Sequence, residues 1–150
     1  MSRTAGRRGY GVGPAAGGDE ETYEIARLCA RIADRHKARE IVILDVERLL
    51  VITGCFVIAT GDSRKQLQAI ADAVHEALRA RGLRRYGLEG YEEGRWILAD
   101  YGDVILQLLD AEARQRYNLE LIWGDAPRVG WEPEQDSPPA PGAARPPAQS

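Results

Sequence analysis

Apolar side chains recur with helical spacing in two segments of the chain. Residues 22–36 carry them three and four positions apart, opposite charged residues, at Ile25, Leu28, Cys29, Ile32 and Ala33. Residues 64–81 repeat this pattern with Leu67, Ile70, Ala71, Val74 and Leu78. We therefore predict two amphipathic helices that each bury one face against a sheet. Asp62 or Ser63 would cap the second helix, and Gly82 would end it.

Five short apolar runs predict the strands of that sheet. The run EIVILDV at 40–46 and a run at 49–60, interrupted by a turn near Thr53-Gly54, predict neighbouring central strands. Residues 83–89 predict an edge strand, and 95–101 and 104–109 predict two further strands. Asp45 should reach a backbone donor at its strand end or face solvent, because carboxylates are rarely buried unpaired. The order of these elements predicts an α/β fold with a mixed sheet of about five strands.

The last two strands predict a hairpin, because Tyr101-Gly102-Asp103 between them contains the glycine that a sharp reversal needs. Both arms are mostly apolar, which favours a sheet covered on both sides. Asp100 and Asp103 flank the turn, and we expect its tip to be wet, because desolvating a carboxylate is costly. Trp96 and Tyr101 add aromatic rings that suit either a core or a contact surface.

A single helix is predicted after the hairpin, over residues 111–121. Glu112 and Arg116 are spaced so that opposite charges meet on the helix surface. Tyr117 on this helix and Trp123 just beyond it are further rings for which core packing and contact with a partner both stay open.

Two blocks of sequence resemble the ribosomal silencing factor family, also called the Iojap family. The first is EG followed by GRWILADYGDVILQLL and then E-x-R-x-x-Y-x-L-E-x-x-W, within residues 89–123. The second is CFVIATGDSRKQLQAIADAV at residues 55–74. Together the resemblance extends from about residue 22 to 126. Gly54 departs from it, because the family often has an acid just before the central strand.

The resemblance implies a mixed-sheet domain with a nucleotidyltransferase-like topology but without known catalysis. It also implies binding to a large-subunit ribosomal protein, protein fourteen of the bacterial set, at the face where the small subunit docks. Such binding blocks subunit joining and lowers translation in starvation or stationary phase, and the family's habit implies a possible homodimer. The matching positions expected to meet the ribosomal protein are Trp96, Asp100, Tyr101, Gly102, Asp103, Glu112 and Tyr117.

Composition separates a folded domain at 19–126 from two tails. Residues 1–18 are rich in glycine, with three arginines and no acid, and residues 127–150 hold seven of the eight prolines. We predict that both tails are disordered, because neither composition can form a packed core. The domain contains 15 Lys and Arg against 20 Asp and Glu, a net charge of −5 compared with −3 for the whole chain. This charge favours a basic protein partner over a nucleic-acid backbone.

The remaining candidate chemistry is sparse. Cys29 and Cys55 have no cysteine or histidine at ligand spacing, so we expect buried, reduced thiols and no metal or other cofactor. His36 and His75 are expected at a helix end and at a helix boundary, without catalytic partners. No signal peptide or membrane-spanning run is visible, so we expect a cytoplasmic protein without a membrane partner.

Two other functions are weaker hypotheses. A nucleotidyltransferase-like enzyme would use Asp100, Asp103 and the corner from Thr60 to Ser63, but acids three positions apart across a turn do not share a strand face. RNA binding would use the cluster Arg79, Arg81, Arg84 and Arg85. That cluster is more typical of a solvated helix end, and the negative domain argues against a dominant direct contact with RNA.

Overall fold

A computed structural model describes residues 20–50 and 53–132. Its helices are α1 (Glu20–Arg35), α2 (Arg64–Ala80), α3 (Ala111–Arg116) and α4 (Leu119–Ile122). Its strands are β1 (Arg39–Asp45), β2 (Cys55–Gly61), β3 (Gly87–Glu89), β4 (Trp96–Asp100) and β5 (Val104–Asp110). The tail predicted for 1–18, residues 133–150 of the tail predicted for 127–150, and the strand residues predicted at 51–52 lie outside the described residues.

The described strands form one mixed sheet in the order β1-β2-β5-β4-β3. β2 and β5 are parallel, and the other neighbouring pairs are antiparallel. The predicted α/β class, the mixed sheet, the hairpin and the edge position of β3 are confirmed. The prediction that β1 is a central strand is wrong, because β1 lies at the edge of the described sheet with β2 as its only strand neighbour.

Helices α1 and α2 cover one face of the sheet. The apolar stripe predicted for α2 is buried in full, and all of the stripe predicted for α1 is buried except the half-buried Leu28. These side chains pack against inward-facing residues such as Val57, Ile97 and Leu106. Cys29 is a free, fully buried thiol in this core, and burial raises its pKa to about 12. Cys55 is likewise buried, and it forms no disulfide in the described part of the chain.

A close approach between β2 and α2 fixes the corner that joins them. The Ser63 side chain accepts a hydrogen bond from the Gln66 amide at 3.0 Å, which confirms the predicted cap of α2. Gly61 just before it is needed for packing, since a Cβ there would lie 2.6 Å from a Leu67 methyl carbon. Gly82 follows the last turn of the helix, as predicted, and its amide donates to the Arg79 carbonyl at 2.9 Å.

The opposite face of the sheet is only partly covered. A second cluster joins Val42, Leu44, Phe56, Ile58 and Leu109 to Leu119 and Ala126, so α4 and the residues after it cover β1, β2 and the end of β5. Trp123 packs edge-on against Phe56, with ring centroids 5.5 Å apart, so this ring is a packing residue. Leu98 and Ile105 remain half-buried, and the prediction of a sheet covered on both sides is wrong over β4.

The single helix predicted for 111–121 is two short helices. α3 ends at Arg116, and the Asn118 side chain accepts a hydrogen bond from the Leu121 amide to cap α4. Because asparagine bonds to nearby backbone donors, it favours a new helix start over a helix interior. The break turns Leu119 into the second cluster while Leu121 and Ile122 stay exposed.

Residues 127–132, which the sequence assigned to the C-terminal tail, lie against the free edge of β1. The Asp45 amide donates to the Pro127 carbonyl at 2.8 Å, and the Val129 amide donates to the Ile43 carbonyl at 3.0 Å. The Trp131 indole donates to the Ile41 carbonyl at 3.2 Å. The ordered fold therefore continues past the predicted boundary at 126, because this segment satisfies polar groups that an edge strand leaves open.

Asp45 is buried rather than solvent-facing. It accepts hydrogen bonds from the Tyr23 hydroxyl and, at 3.1 Å, from the Glu47 amide. These donors replace the hydrogen bonds to water that the buried carboxylate loses. Of the two alternatives that the sequence left open for Asp45, the structure shows the contact with a backbone donor. The partner Tyr23 has a raised pKa, chiefly through burial and then through this hydrogen bond.

Candidate functional site

The seven residues predicted from the resemblance fall into two groups at opposite ends of β4. Trp96 opens this strand and pairs with Leu109, whereas Asp100 ends it and pairs with Ile105. Four residue steps along a strand separate the two ends by about 13 Å. Glu112 and Tyr117 join the Trp96 end, and Tyr101, Gly102 and Asp103 form the turn at the other end.

The turn is packed into the fold, so the prediction of a wet tip is wrong for its centre. Tyr101 is 5 % exposed, belongs to the core beneath the helices, and shares a 3.1 Å hydrogen bond between its hydroxyl and His75 Nδ1. Gly102 is buried with φ 91°, and a Cβ there would lie 3.3 Å from the Tyr86 ring. The Asp103 carbonyl accepts hydrogen bonds from the Gly54 and Cys55 amides, both at 3.0 Å.

The half-buried acids of the turn shape its backbone. Asp100 Oδ1 accepts a hydrogen bond from the Gly102 amide at 2.8 Å, an interaction that aspartate commonly makes two residues along a turn. Asp103 is also half-buried and begins the connection into β5. The Asp100 side chain therefore combines a structural role with partial access to a partner, whereas Asp103 stabilises the turn through its backbone carbonyl.

His75 and Tyr101 form a coupled pair beneath the turn. Burial lowers the pKa of His75, and the nearby Arg85 and Arg79 guanidiniums lower it further. Burial also raises the pKa of Tyr101, against the opposing effect of Arg85. Both rings therefore favour their neutral forms at neutral pH, which suits a packed hydrogen bond.

The other group contains an aromatic pair with access to solvent. The rings of Trp96 and Tyr117 lie 4.7 Å apart between centroids, and Tyr117 is 42 % exposed. The Trp96 indole donates to Gln107 Oε1 at 3.0 Å, which fixes the ring while one edge remains accessible. Such a fixed, amphipathic ring pair costs little conformational entropy when it binds a partner.

Three acids and two arginines line a concavity beside this pair. The concavity, of about 210 Å³, is lined by Glu93, Asp110 and Glu112 together with Arg95 and Arg116. Arg116 lies 3.4 Å from Glu112, as their spacing predicted. Asp110 accepts a hydrogen bond from the Ala113 amide as the cap of α3, so it holds this helix and the concavity in place.

Leu98 and Ile105 connect the two groups, and the sequence analysis did not select them. Trp96, Leu98 and Asp100 alternate onto one face of β4, and Ile105 is the partner of Asp100 on β5. We call the surface formed by Trp96, Leu98, Asp100, Ile105 and Tyr117 the open face. Leu98 could have been found from the sequence, because the two-residue spacing along β4 places it between Trp96 and Asp100 on the same face.

The structure separates the residues of the enzymatic alternative. In the parallel pair of strands, Gly61 lies beside Asp110, whereas Val104 lies beside Cys55. The corner from Thr60 to Ser63 is thus at one end of the sheet and Asp103 at the other, about 20 Å away over six residue steps. The corner and Asp103 are too far apart to act on one bound nucleotide. The hypothesis of a nucleotidyltransferase-like enzyme that uses these residues together is therefore wrong.

Comparison with known proteins identifies the family. The profile described as "Ribosomal silencing factor during starvation" matches residues 19–150. The chain belongs to the ribosomal silencing factor family. The ribosomal silencing factor of Halalkalibacterium halodurans is 40 % identical over 106 residues, covering 71 % of this chain and 91 % of the relative. That of Bacillus subtilis is 38 % identical, covering 69 % and 87 %.

Solved structures agree with this family assignment. A crystal structure of a protein from Chromobacterium violaceum matches with a TM-score of 0.65 at 35 % identity, covering 67 % of this chain and 84 % of that one. A crystal structure from Bacillus halodurans matches with a TM-score of 0.63 at 34 % identity, covering 75 % and 99 %. The resemblance stated from the two sequence blocks is confirmed. Among the described residues, no helix is both long and apolar enough to cross a membrane.

Proposed function

We propose that this protein is a non-catalytic silencing factor of translation that acts in the cytoplasm. It binds a basic protein of the large ribosomal subunit, protein fourteen of the bacterial set, and so blocks joining of the small subunit. Family membership supports this function. The observation that carries it is the open face, where half-buried apolar residues and an accessible aromatic pair lie beside a concavity lined by three carboxylates and two guanidiniums.

The open face has the composition of a protein interface. Interfaces combine a desolvated aromatic or aliphatic centre with a polar rim, and their energy is concentrated in a few anchors. Here Trp96, Tyr117 and Leu98 supply the centre, while Asp100 and Glu112 supply part of the acidic rim. A basic protein surface complements this arrangement in charge, whereas a phosphate backbone would be repelled.

The buried residues of the turn receive a different role in this proposal. Tyr101 and Gly102 support the end of the open face, because a partner cannot reach side chains or backbone packed beneath it. Asp103 lies at the boundary of the surface and is half-buried. Of the seven predicted residues, we therefore propose Trp96, Asp100, Glu112 and Tyr117 as the principal contacts.

Co-sedimentation with purified large subunits tests the location of the interface. Tyr117→Ala removes an exposed ring, and Glu112→Lys reverses a rim charge. Glu76→Lys is the matched control, since Glu76 is also exposed and paired to an arginine, at 3.5 Å, but lies on the outer side of α2. We expect Tyr117→Ala to weaken binding by about tenfold or more, which corresponds to about 1.4 kcal/mol.

Comparison with the Glu76→Lys control shows which results would contradict an interface on the open face. Glu76→Lys should bind large subunits like the wild type. Equal losses for Glu76→Lys and Glu112→Lys would show a non-specific effect of charge, and unchanged binding of both Tyr117→Ala and Glu112→Lys would exclude the open face as the contact.

A homodimer is a second proposal about assembly. Leu121 and Ile122 are 74 % and 64 % exposed. Exposing two adjacent aliphatic side chains to water is unfavourable, and a second chain that covers them would remove this cost. Sedimentation over a concentration range should show a monomer–dimer equilibrium that Leu121→Glu shifts toward monomer. A single species that the substitution leaves unchanged would contradict the dimer.

A further inference from the structure

A cavity of about 570 Å³ lies at the carboxyl end of the parallel strands β2 and β5, on the side of α3 that faces away from the concavity beside Trp96 and Tyr117. Its lining includes Arg39 at the start of β1, Arg114 and Gln115 of α3, and Arg128 from the C-terminal segment. In open α/β sheets, ligands bind outside the carboxyl ends of parallel strands. The volume also falls in the range of roughly 300 to 1,000 Å³ for small-molecule sites.

The charged side chains that line the cavity are mainly positive, whereas the domain as a whole has a negative net charge. Among the described residues, three arginines line it, Arg39, Arg114 and Arg128, together with one carboxylate, Glu40. The surrounding domain is acidic by composition, so this concentration of arginine is local. Arginine presents a planar fork that matches phosphate oxygens in pairs, which favours an anionic, phosphate-bearing ligand.

One of these arginines is built into the floor of the cavity. Arg114 is 7 % exposed, and its Nη1 donates to the Thr60 hydroxyl at 2.7 Å. That hydroxyl in turn lies 3.3 Å from Glu40 Oε1, to which it donates. The chain of hydrogen bonds fixes the guanidinium before any ligand arrives, and a fixed donor binds at a lower entropic cost than a mobile one.

The backbone beside this floor is strained. Glu40 has φ 51° in the left-handed region, which a residue with a side chain rarely adopts, and the register of β1 with β2 shifts between Arg39 and Val42. The irregularity directs Glu40 toward Thr60 across the cavity floor. Bulges and left-handed residues cluster at binding sites, where the surrounding structure maintains them.

The remaining arginines lie nearer to solvent. Arg39 pairs with Asp62 at 2.6 Å, but both side chains are largely exposed, so water screens the pair and a phosphate can replace it. Arg128 is exposed at the opposite side of the cavity. Gln115 and Asn118 add amide donors and acceptors, while Ile41 and Val42 contribute an apolar wall.

We propose that this cavity is a binding site for a nucleotide, with its phosphates held by Arg39, Arg114 and Arg128. The mixed lining distinguishes a nucleotide from a bare anion, because amide groups suit a base or ribose and the aliphatic wall suits their apolar faces. The site shares α3 with the proposed interface but uses different side chains of it, and it requires no catalytic step.

Calorimetric titration of the full 150-residue chain tests this site. The probes are ADP, adenosine and inorganic phosphate. ADP should bind, whereas adenosine and phosphate should each bind at least about tenfold more weakly, since each lacks one half of the contacts. Raising the salt concentration should weaken ADP binding, because the arginines act through charge.

Variants assign the binding to the cavity. Arg128→Gln removes an exposed cation without disturbing the core, and it should weaken ADP binding about tenfold. Arg114→Lys retains the positive charge but loses the paired N–H donors of the guanidinium, and it should also weaken ADP binding. Arg81→Gln is the matched control, since this exposed arginine follows α2 at its far end, about 25 Å along the helix from the corner at 60–63.

Several outcomes would overturn the proposal. These are no ADP binding at millimolar concentration, equal affinity for phosphate and ADP, or the same affinity in Arg128→Gln and Arg81→Gln. Tighter binding of a 5′-phosphorylated RNA oligonucleotide than of ADP would also overturn it, in favour of an RNA end. Circular dichroism of Arg114→Lys checks folding, and Arg128→Gln decides the question if that variant unfolds.

Discussion

Replacement of Tyr101 by alanine should destabilise the fold strongly, although the residue lies in the turn of a hairpin. Its ring is 5 % exposed and packs in the core beneath α1 and α2, so truncation leaves a cavity. Removing a buried large aromatic side chain costs about 3 to 5 kcal/mol. Tyr101→Phe retains the ring and loses the hydroxyl, which hydrogen-bonds to His75 and interacts with Arg85, and each such hydrogen bond contributes about 1 kcal/mol.

Tyr117→Ala provides the comparison within the same set of predicted residues. This ring is 42 % exposed, and its main described contact is with Trp96. Its loss should cost only about 1 kcal/mol, the scale of an aromatic pair. Urea unfolding followed by circular dichroism measures the free energy of unfolding of all three variants. If Tyr101→Ala is no less stable than Tyr117→Ala, the assignment of Tyr101 to the core is wrong.

Three further predictions concern the fold. Ser63→Ala should lower the free energy of unfolding by about 1 kcal/mol through loss of the cap of α2, whereas Ser63→Asp should retain it, and equal urea midpoints would contradict the cap. A chain ending at residue 126 should be less stable than one ending at 132 by about 2 kcal/mol or more, since two backbone hydrogen bonds to β1 are lost, and equal thermal midpoints would contradict this. The lowered pKa of His75 means that the unfolded chain binds more protons, so its contribution to stability is present above about pH 6.5 and is lost as the pH falls through the folded-state pKa. Urea unfolding from pH 8 to 5 should show this loss in the wild type but not in His75→Gln, and parallel curves would contradict it.

The spacing of apolar residues along the chain correctly predicted helices that bury one apolar face. The stripe from Leu67 to Leu78 and the cap at Ser63 followed from spacing and side-chain chemistry, and both are present. The edge position of β1 and its pairing with residues 127–132 could not be predicted in this way. Those contacts join positions about 85 residues apart, and proline-rich composition gave no indication of them.

The sequence placed the residues of the candidate site in one region of the chain, but it did not predict which of them are exposed. An apolar strand next to a turn is compatible with either a wet or a packed tip, and the choice depends on neighbours such as His75 and Tyr86 that are distant in sequence. Trp96 and Tyr117, which the sequence placed in one region, are in contact in the structure. Leu98 was not selected, because its half-buried state depends on α4 covering β1, β2 and the end of β5 on this face of the sheet and leaving β4 uncovered.

The most direct test of the proposed silencing activity measures subunit joining. Purified large subunits are incubated with the wild-type protein, with Trp96→Ala/Tyr117→Ala or with Glu76→Lys, and light scattering follows joining after small subunits are added. The wild type and Glu76→Lys should slow joining and lower the final scattering, whereas the doubly substituted protein should do neither at the same concentration. Joining at an undiminished rate and extent with wild-type protein bound to the large subunit would contradict the account.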